Sequence, residues 1–250
     1  MKISKTKLQS LARLKQKKQR DAEGLFCAEG AKCVVDTLGH FDLYYLVATP
    51  RWLSENPRSE ALEASPAEMA RLSGLSTPAD VIAYYRKPEL DRAEWESGIC
   101  SRLTLLLDGV QDPGNLGTII RVADWFGVRH IAASHDTADL FNAKTVQATM
   151  GAISRVSLLY TDLGALVGKY PQLRVFGTLL EGENIYSQPL AANGFIVMGN
   201  EGKGISADLR RLVTDPLLIP SYPPGEPTSE SLNVSMATGI TLSEFRRRQF

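Results

Sequence analysis

The stretch Leu103-Thr-Leu-Leu-Leu-Asp-Gly-Val-Gln-Asp-Pro-Gly-Asn-Leu-Gly-Thr-Ile-Ile-Arg-Val-Ala-Asp-Trp-Phe-Gly-Val128 decides how this 250-residue chain folds. It opens on a continuous apolar run, Leu103–Leu107, which ends in Asp108-Gly109. An unbroken apolar run of this length, closed by turn residues, reads as a strand buried on both faces. Leu116, Ile119, Ile120, Ala123 and Phe126 then recur at helical spacing and define one apolar face. Strand, loop and helix follow one another as in a parallel α/β unit. Asn115 falls at the helix entrance and Arg121 off the apolar face. Six residues is under two turns, so the two meet only if Asn115 belongs to the loop.

Downstream the alternation continues. Apolar runs at His130–Ala133, Val156–Leu159, Leu173–Phe176, Phe195–Met198 and Leu217–Ile219 read as further strands, several of them separated by helical segments. A closing helix is expected over Val234–Arg248, with Asn233 as its N-cap. Upstream, short elements also alternate. Leu8, Leu11 and Leu14 predict one amphipathic helix from an N-cap at Ser4 to Lys18. Strands are expected at Gly24–Ala28, Leu43–Ala48 and Val81–Tyr85, and helices at Ala31–Leu38 and Pro66–Leu72. Periodicity lapses across Lys87–Arg102, which holds Pro88 and Gly98. A boundary there divides the chain into residues 1–95 and 96–250.

Composition bounds the function classes. Hydrophobic residues make up 44% and charged residues 22%, as in ordinary globular proteins. No apolar run approaches the roughly 20 residues of a membrane span, and the basic start has no apolar stretch behind it, so a cytoplasmic location is expected. Cys27, Cys33 and Cys100 form no CxxC pair and read as small buried hydrophobes, and the three histidines join no metal-ligand pattern. The net charge of zero is unevenly spread. Residues 1–20 carry eight basic residues and no acid, which leaves a net of −8 on the remainder. A basic segment on an acidic body fits an anionic partner, nucleic acid first, and equally a solvated helix face. Lys15, Lys17, Lys18 and Arg20 are its candidate contacts.

Ligands of open α/β sheets bind beyond the carboxyl ends of the strands. Three loops there stand out: 108–121, with Asn115 and Arg121; Gly199-Asn-Glu-Gly-Lys-Gly204, with Glu201; and Ile219–Asn233, with four prolines between 220 and 227. The glycine loop lacks both GxxxxGK[ST] and GxGxxG, which argues against a nucleotide triphosphatase and a classical dinucleotide fold. No GxSxG elbow suggests a hydrolase. Taken singly, each loop also reads as a plain turn or helix cap.

Taken in order, the stretches DPGNLGTIIRVADWFGV (112–128), FIVMGNEGKGI (195–205) and IP…SLNVSMATGI (219–240) resemble the SpoU/TrmH family of RNA ribose 2′-O-methyltransferases, within the knotted SPOUT superfamily. NAKTVQATMGAISRV (142–156) is similar to the family segment between the first two, and KLQSLARLKQKKQRDAEGLFCAEGAKCV (7–34) resembles the opening of its small ribosomal-protein-like substrate domain. The resemblance implies a small N-terminal α/β RNA-binding domain and a C-terminal, mostly parallel α/β domain tied in a trefoil knot. It implies S-adenosylmethionine as cofactor, with Thr178, Gly199, Ile219 and Leu232 lining it. It implies Arg121, Asn115, Glu201, Ser231 and Asn233 at the reacting ribose, and no metal. A homodimer is implied, with the final helix near its interface. The RNA is expected to be ribosomal rather than transfer RNA. A transfer-RNA substrate, base methylation and an RNA-binding member without catalysis are the alternatives. Two departures stand out: a long proline-rich loop at 219–231, and Gln147 where a basic residue is more usual.

Overall fold

The computed structural model describes residues 1–249 and divides into two compact units, Met1–Glu89 with Asp139–Ser154, and Leu90–Ala138 with Arg155–Phe250. The sequence reading puts its one boundary between residues 95 and 96, and nothing in it signals the return of Asp139–Ser154 to the first unit.

The first unit holds α1 (Lys5–Arg13), α2 (Lys17–Glu23), β1 (Leu25–Glu29), α3 (Ala31–Thr37), β2 (Leu43–Ala48), α4 (Pro50–Glu55), β3 (Leu62–Glu63), α5 (Pro66–Leu72) and β4 (Val81–Arg86). Its sheet has the order β1-β4-β2-β3, with β4 antiparallel to both β1 and β2. Leu8, Leu11 and Leu14 pack against Leu25, Val47, Met69 and Ile82, so the leucine stripe is core, as its period requires. Ser4 caps α1 by accepting the Lys7 amide at 3.3 Å. The expected single helix is nevertheless two. Arg20 folds back and donates to the carbonyls of Leu14 and Lys15, at 2.9 and 2.8 Å, where the chain turns between the helices. The α4 helix, capped by Thr49 with Pro50 in its first turn, escaped the sequence reading. The returning segment packs on this unit: Phe141 lies 4.8 Å from Phe26, and Asp139 pairs with Arg20.

The second unit begins with α6 (Arg92–Glu96) and continues through β5 (Leu103–Leu107), α7 (Pro113–Trp125) and β6 (His130–Ala133). The helix α8 (Ala143–Thr149) belongs to the returning segment. Then come β7 (Ser157–Tyr160), α9 (Leu163–Gly168), β8 (Val175–Asn184), β9 (Gly194–Met198), α10 (Ala207–Arg210), β10 (Asp215–Leu218) and α11 (Val234–Arg247). The six strands form one wholly parallel sheet in the order β10-β8-β9-β5-β6-β7. β5 lies at its centre and every residue of it is buried, as its apolar run predicts. Side chains alternate between the faces. Leu106, Ala132 and Val197 pack with Leu166 and Leu209 of α9 and α10. Phe176 instead meets Phe245 of α11 at 4.9 Å, edge to face. The predicted apolar face of α7 is buried at Leu116, Ile119, Ile120 and Ala123, while Phe126 is half-buried. β8 runs eight residues beyond its expected end at Phe176, because the polar stretch that follows gives no strand signal.

Two cysteine expectations hold and one fails. Cys27 and Cys33 are buried, whereas Cys100 is exposed and accepts a hydrogen bond from Gln172. Among the described residues no helix is long and apolar enough to cross a membrane, and no cluster of metal-ligating side chains occurs.

Candidate active site

Because the sheet is parallel, β5, β9 and β10 deliver Asp108, Gly199 and Ile219 to one edge. A lattice of short polar contacts fixes the first two loops. The Asp108 carboxylate accepts the Ser206 amide at 2.7 Å. Asn200 donates to the Gly109 carbonyl at 2.6 Å and accepts the amides of Gly202 and Lys203 at 3.0 Å each. Ser134 accepts the Gly109 amide at 2.8 Å. Gly109 has φ +72°, a conformation that side chains resist. Gly199 is required for a different reason. A Cβ there would stand 2.3 Å from the Gly204 carbonyl carbon and 2.4 Å from the Ile205 nitrogen.

The third loop joins through side chains. Asp112 caps α7 by accepting the Asn115 amide at 2.8 Å, which sets Asn115 in the first helical turn. Asn115 Nδ2 then donates to Glu201 at 3.0 Å, and Asn115 Oδ1 accepts from Asn233 Nδ2 at 3.0 Å. Glu201 is further oriented by the amides of Gln111 and Asp112, both at 3.4 Å. Asn233 keeps its capping role, accepting the Ser235 amide at 3.0 Å and the Ser235 hydroxyl at 2.5 Å. A single asparagine therefore uses both ends of its amide to tie the carboxylate of one loop to the helix cap of another.

The other candidate residues do not join this chain. Arg121 is exposed on α7, and its guanidinium has no hydrogen bond or ion pair among the described residues. Ser231 and Leu232 are exposed in the loop before α11. Thr178 is half-buried on β8 and spends its hydroxyl on the Val197 carbonyl at 3.1 Å. Ile219 follows β10 directly and is half-buried. Leu180 and Leu232 are exposed, at 71% and 49%. Asp108 and Asn200 were missed in the sequence. Their only signal was turn-forming chemistry at strand ends, which is shared by many inert loops.

In the first unit, Arg20 is 3% exposed and its guanidinium is committed to Asp139, Leu14 and Lys15. It holds the fold and presents no surface to an RNA, which corrects the sequence expectation. Lys17 pairs with Asp21 at 2.8 Å, and Lys15 and Lys18 are exposed.

Residues 102–243 match the SpoU rRNA methylase family, and residues 5–83 match the MRM3-like substrate binding domain. The 23S rRNA (guanosine(2553)-2′-O)-methyltransferase RlmP of Bacillus subtilis is 35% identical over 68% of this chain and 66% of its own length. The 23S rRNA (guanosine-2′-O-)-methyltransferase RlmB of Neisseria meningitidis is 35% identical over 59% of each chain. The chain thus spans somewhat less than two thirds of these relatives. A TrmH-family structure from Porphyromonas gingivalis superposes with a TM-score of 0.86 at 36% identity, covering 99% of this chain and 100% of the other. The AdoMet-bound rRNA methyltransferase of Sinorhizobium meliloti gives 0.84 at 27% identity, covering 100% and 98%. The residues that form the Glu201–Asn115–Asn233 chain all lie inside the matched family segment, and the chain belongs to the SpoU rRNA methylase family.

Proposed function

We propose that this protein methylates a ribose 2′-hydroxyl of RNA, ribosomal in preference to transfer RNA, with S-adenosylmethionine as donor. The observation that carries this reading is the hydrogen-bonded chain Glu201–Asn115–Asn233, which gathers three loops at the carboxyl edge of the sheet. The cofactor, when bound, supplies a sulfonium-activated methyl group. The residues at this edge suit it: Gly199 and Ile219 offer backbone polar groups, Thr178 braces the end of β9, and Leu180 and Leu232 offer apolar cover. With it bound, that methyl would pass to the ribose oxygen, the hydroxyl giving up its proton and the sulfur keeping the electron pair of the broken C–S bond. A guanidinium offers five N–H donors and no acceptor, so Arg121 serves as a grip and not as a base. Its uncommitted donors hold the phosphate of the target nucleotide, toward which the hydroxyl proton departs. Asn115, Glu201, Ser231 and Asn233 surround and orient the hydroxyl, and positioning supplies most of the acceleration.

In this reading residues 1–95 form the RNA-binding part and residues 96–250 the methyltransferase part, acting in the cytoplasm. The protein works as a homodimer. Met236 and Tyr186, 62% and 50% exposed, line a groove with Val122 of α7 and Ile240 of α11, and Trp125 at the end of α7 is 84% exposed; a second copy covers this face.

Titration calorimetry with S-adenosylmethionine is the direct test. Saturable binding, with ribose-methylated nucleosides recovered from treated ribosomal RNA, supports the reading. No cofactor binding, or methyl groups found only on bases, refutes it. Arg121→Ala should lower transfer by at least about 100-fold, the scale of a lost positioning contact, with unchanged thermal stability.

A further inference from the structure

The first unit carries a feature that the methyl-transfer site does not use. Successive residues of a strand normally point to opposite faces of a sheet. On β2 the pairing with β4 slips between Leu43 and Tyr45, which leaves Tyr44 without a partner in the register. Such a bulge re-aims one side chain. Here the rings of the consecutive Tyr44 and Tyr45 come together, with centroids 4.4 Å apart and planes inclined at 59°.

Both tyrosines line a groove of about 240 Å³ whose other wall is α1 with its C-cap, through Lys7, Ser10, Leu11 and Leu14. The groove falls below the ~300–1,000 Å³ of drug-sized ligand clefts and suits a single flat ring. Cations flank both aromatics. Lys7 Nζ lies 4.0 Å from the Tyr45 ring centre, and the Arg86 guanidinium 5.0 Å from that of Tyr44. Two carboxylates are close: Asp42, which pairs with Arg86 at 3.2 Å, and Glu23 on the groove wall. Tyr44 is 38% exposed and Tyr45 half-buried, whereas Tyr84 and Tyr85 of the same sheet are fully buried.

We propose that the Tyr44–Tyr45 groove is a stacking site for one unpaired base of a single-stranded RNA segment, with Lys7 and Arg86 as its electrostatic rim. The chemistry is that of single-strand recognition generally: an aromatic face for the base and cations for the adjoining backbone. The same α1 that walls the groove belongs to the basic first 20 residues, whose charge complements that backbone. The site deepens the RNA-methylation reading and rests on it, since it gives the first unit a way to hold the strand.

The test uses the full-length protein and two 12-nucleotide probes, oligouridine and an abasic chain with the same phosphates, with affinity measured across a salt series. The wild type should prefer the base-bearing probe. Tyr44→Ala should weaken oligouridine binding about five- to hundredfold, the range of one lost stack. It should leave abasic binding and the salt slope unchanged, and Tyr44→Phe should restore the preference. Lys7→Ala should instead lower the slope. Equal affinity for the two probes, or a Tyr44→Ala variant that keeps the wild-type preference, overturns the stacking site. Cofactor titration on the same Tyr44→Ala sample separates the two readings. Normal S-adenosylmethionine binding alongside unchanged RNA binding refutes the groove alone, whereas no cofactor binding in the wild type refutes the enzyme. Failure of the wild type to bind either probe overturns the groove as well.

Discussion

Arg20 shows how one side chain changes meaning between sequence and structure. In the chain it is the last of eight cations in an acid-free segment. In the fold it is a buried cross-brace, with Asp139 at 2.5 Å and 119 residues away. Removing one partner of a buried pair leaves the other charged and unsolvated, which costs about 3–5 kcal/mol. Arg20→Ala should therefore lower the denaturant midpoint strongly while leaving RNA affinity at the wild-type salt slope in conditions where the protein is folded. A variant of normal stability with a reduced slope would return Arg20 to the RNA surface. Arg121 is the reverse case, a surface arginine without a partner among the described residues, available for a ligand.

At the scale of the element, α11 closes the site at one end and is anchored at the other. Asn233 caps its first turn and faces Asn115. In its last turns Glu244, only 5% exposed, receives Arg247 at 2.8 Å and Arg248 at 2.9 Å. Arg248 also donates to the carbonyls of Ile185 and Tyr186, at 3.1 and 2.7 Å. The Arg247 hydrogen bond, then that of Arg248, brings the Glu244 carboxyl down to about 2. A carboxyl whose folded pKa is depressed adds stability above its unfolded value, and that stability is lost as pH falls through the folded value. The contribution should thus be complete above pH ~5 and disappear between about 4.5 and 2. Glu244→Gln should be less stable than the wild type at pH 7, and the gap in urea midpoint should close as pH approaches 2. A gap independent of pH would show that Glu244 acts through packing alone.

At the scale of the whole molecule, charge and symmetry make the predictions. Lys15 and Lys18 are exposed, while Lys17 is held by Asp21. Changing Lys15 and Lys18 to alanine should weaken RNA binding and lower the log–log salt slope by about 1.4, at ~0.7 per released single-strand counterion. Lys17→Ala should lower it less. An unchanged slope in the double variant would make the helix a solvated face. Trp125→Glu should turn the proposed dimer into monomer in sedimentation at micromolar concentration; a wild type already monomeric there would remove the α7–α11 face as an interface.

The sequence by itself determined the strand–helix alternation, because burial on both faces of a parallel sheet leaves unbroken apolar runs such as Leu103–Leu107. It also determined the three polar loops, because strands of one direction place the loops that follow them on one edge. The long extension of β8 stayed hidden, since a polar strand has no periodic signature. Tertiary structure decided which loop residues meet. Asn115 bridges Glu201 and Asn233 across 86 and 118 residues of chain, and no local pattern encodes a contact of that range. It also decided that Arg20 is a brace, that Asp139–Ser154 returns to the first unit, and that a bulge turns two consecutive tyrosines the same way. Each depends on a partner distant in sequence, whose position only the folded chain supplies.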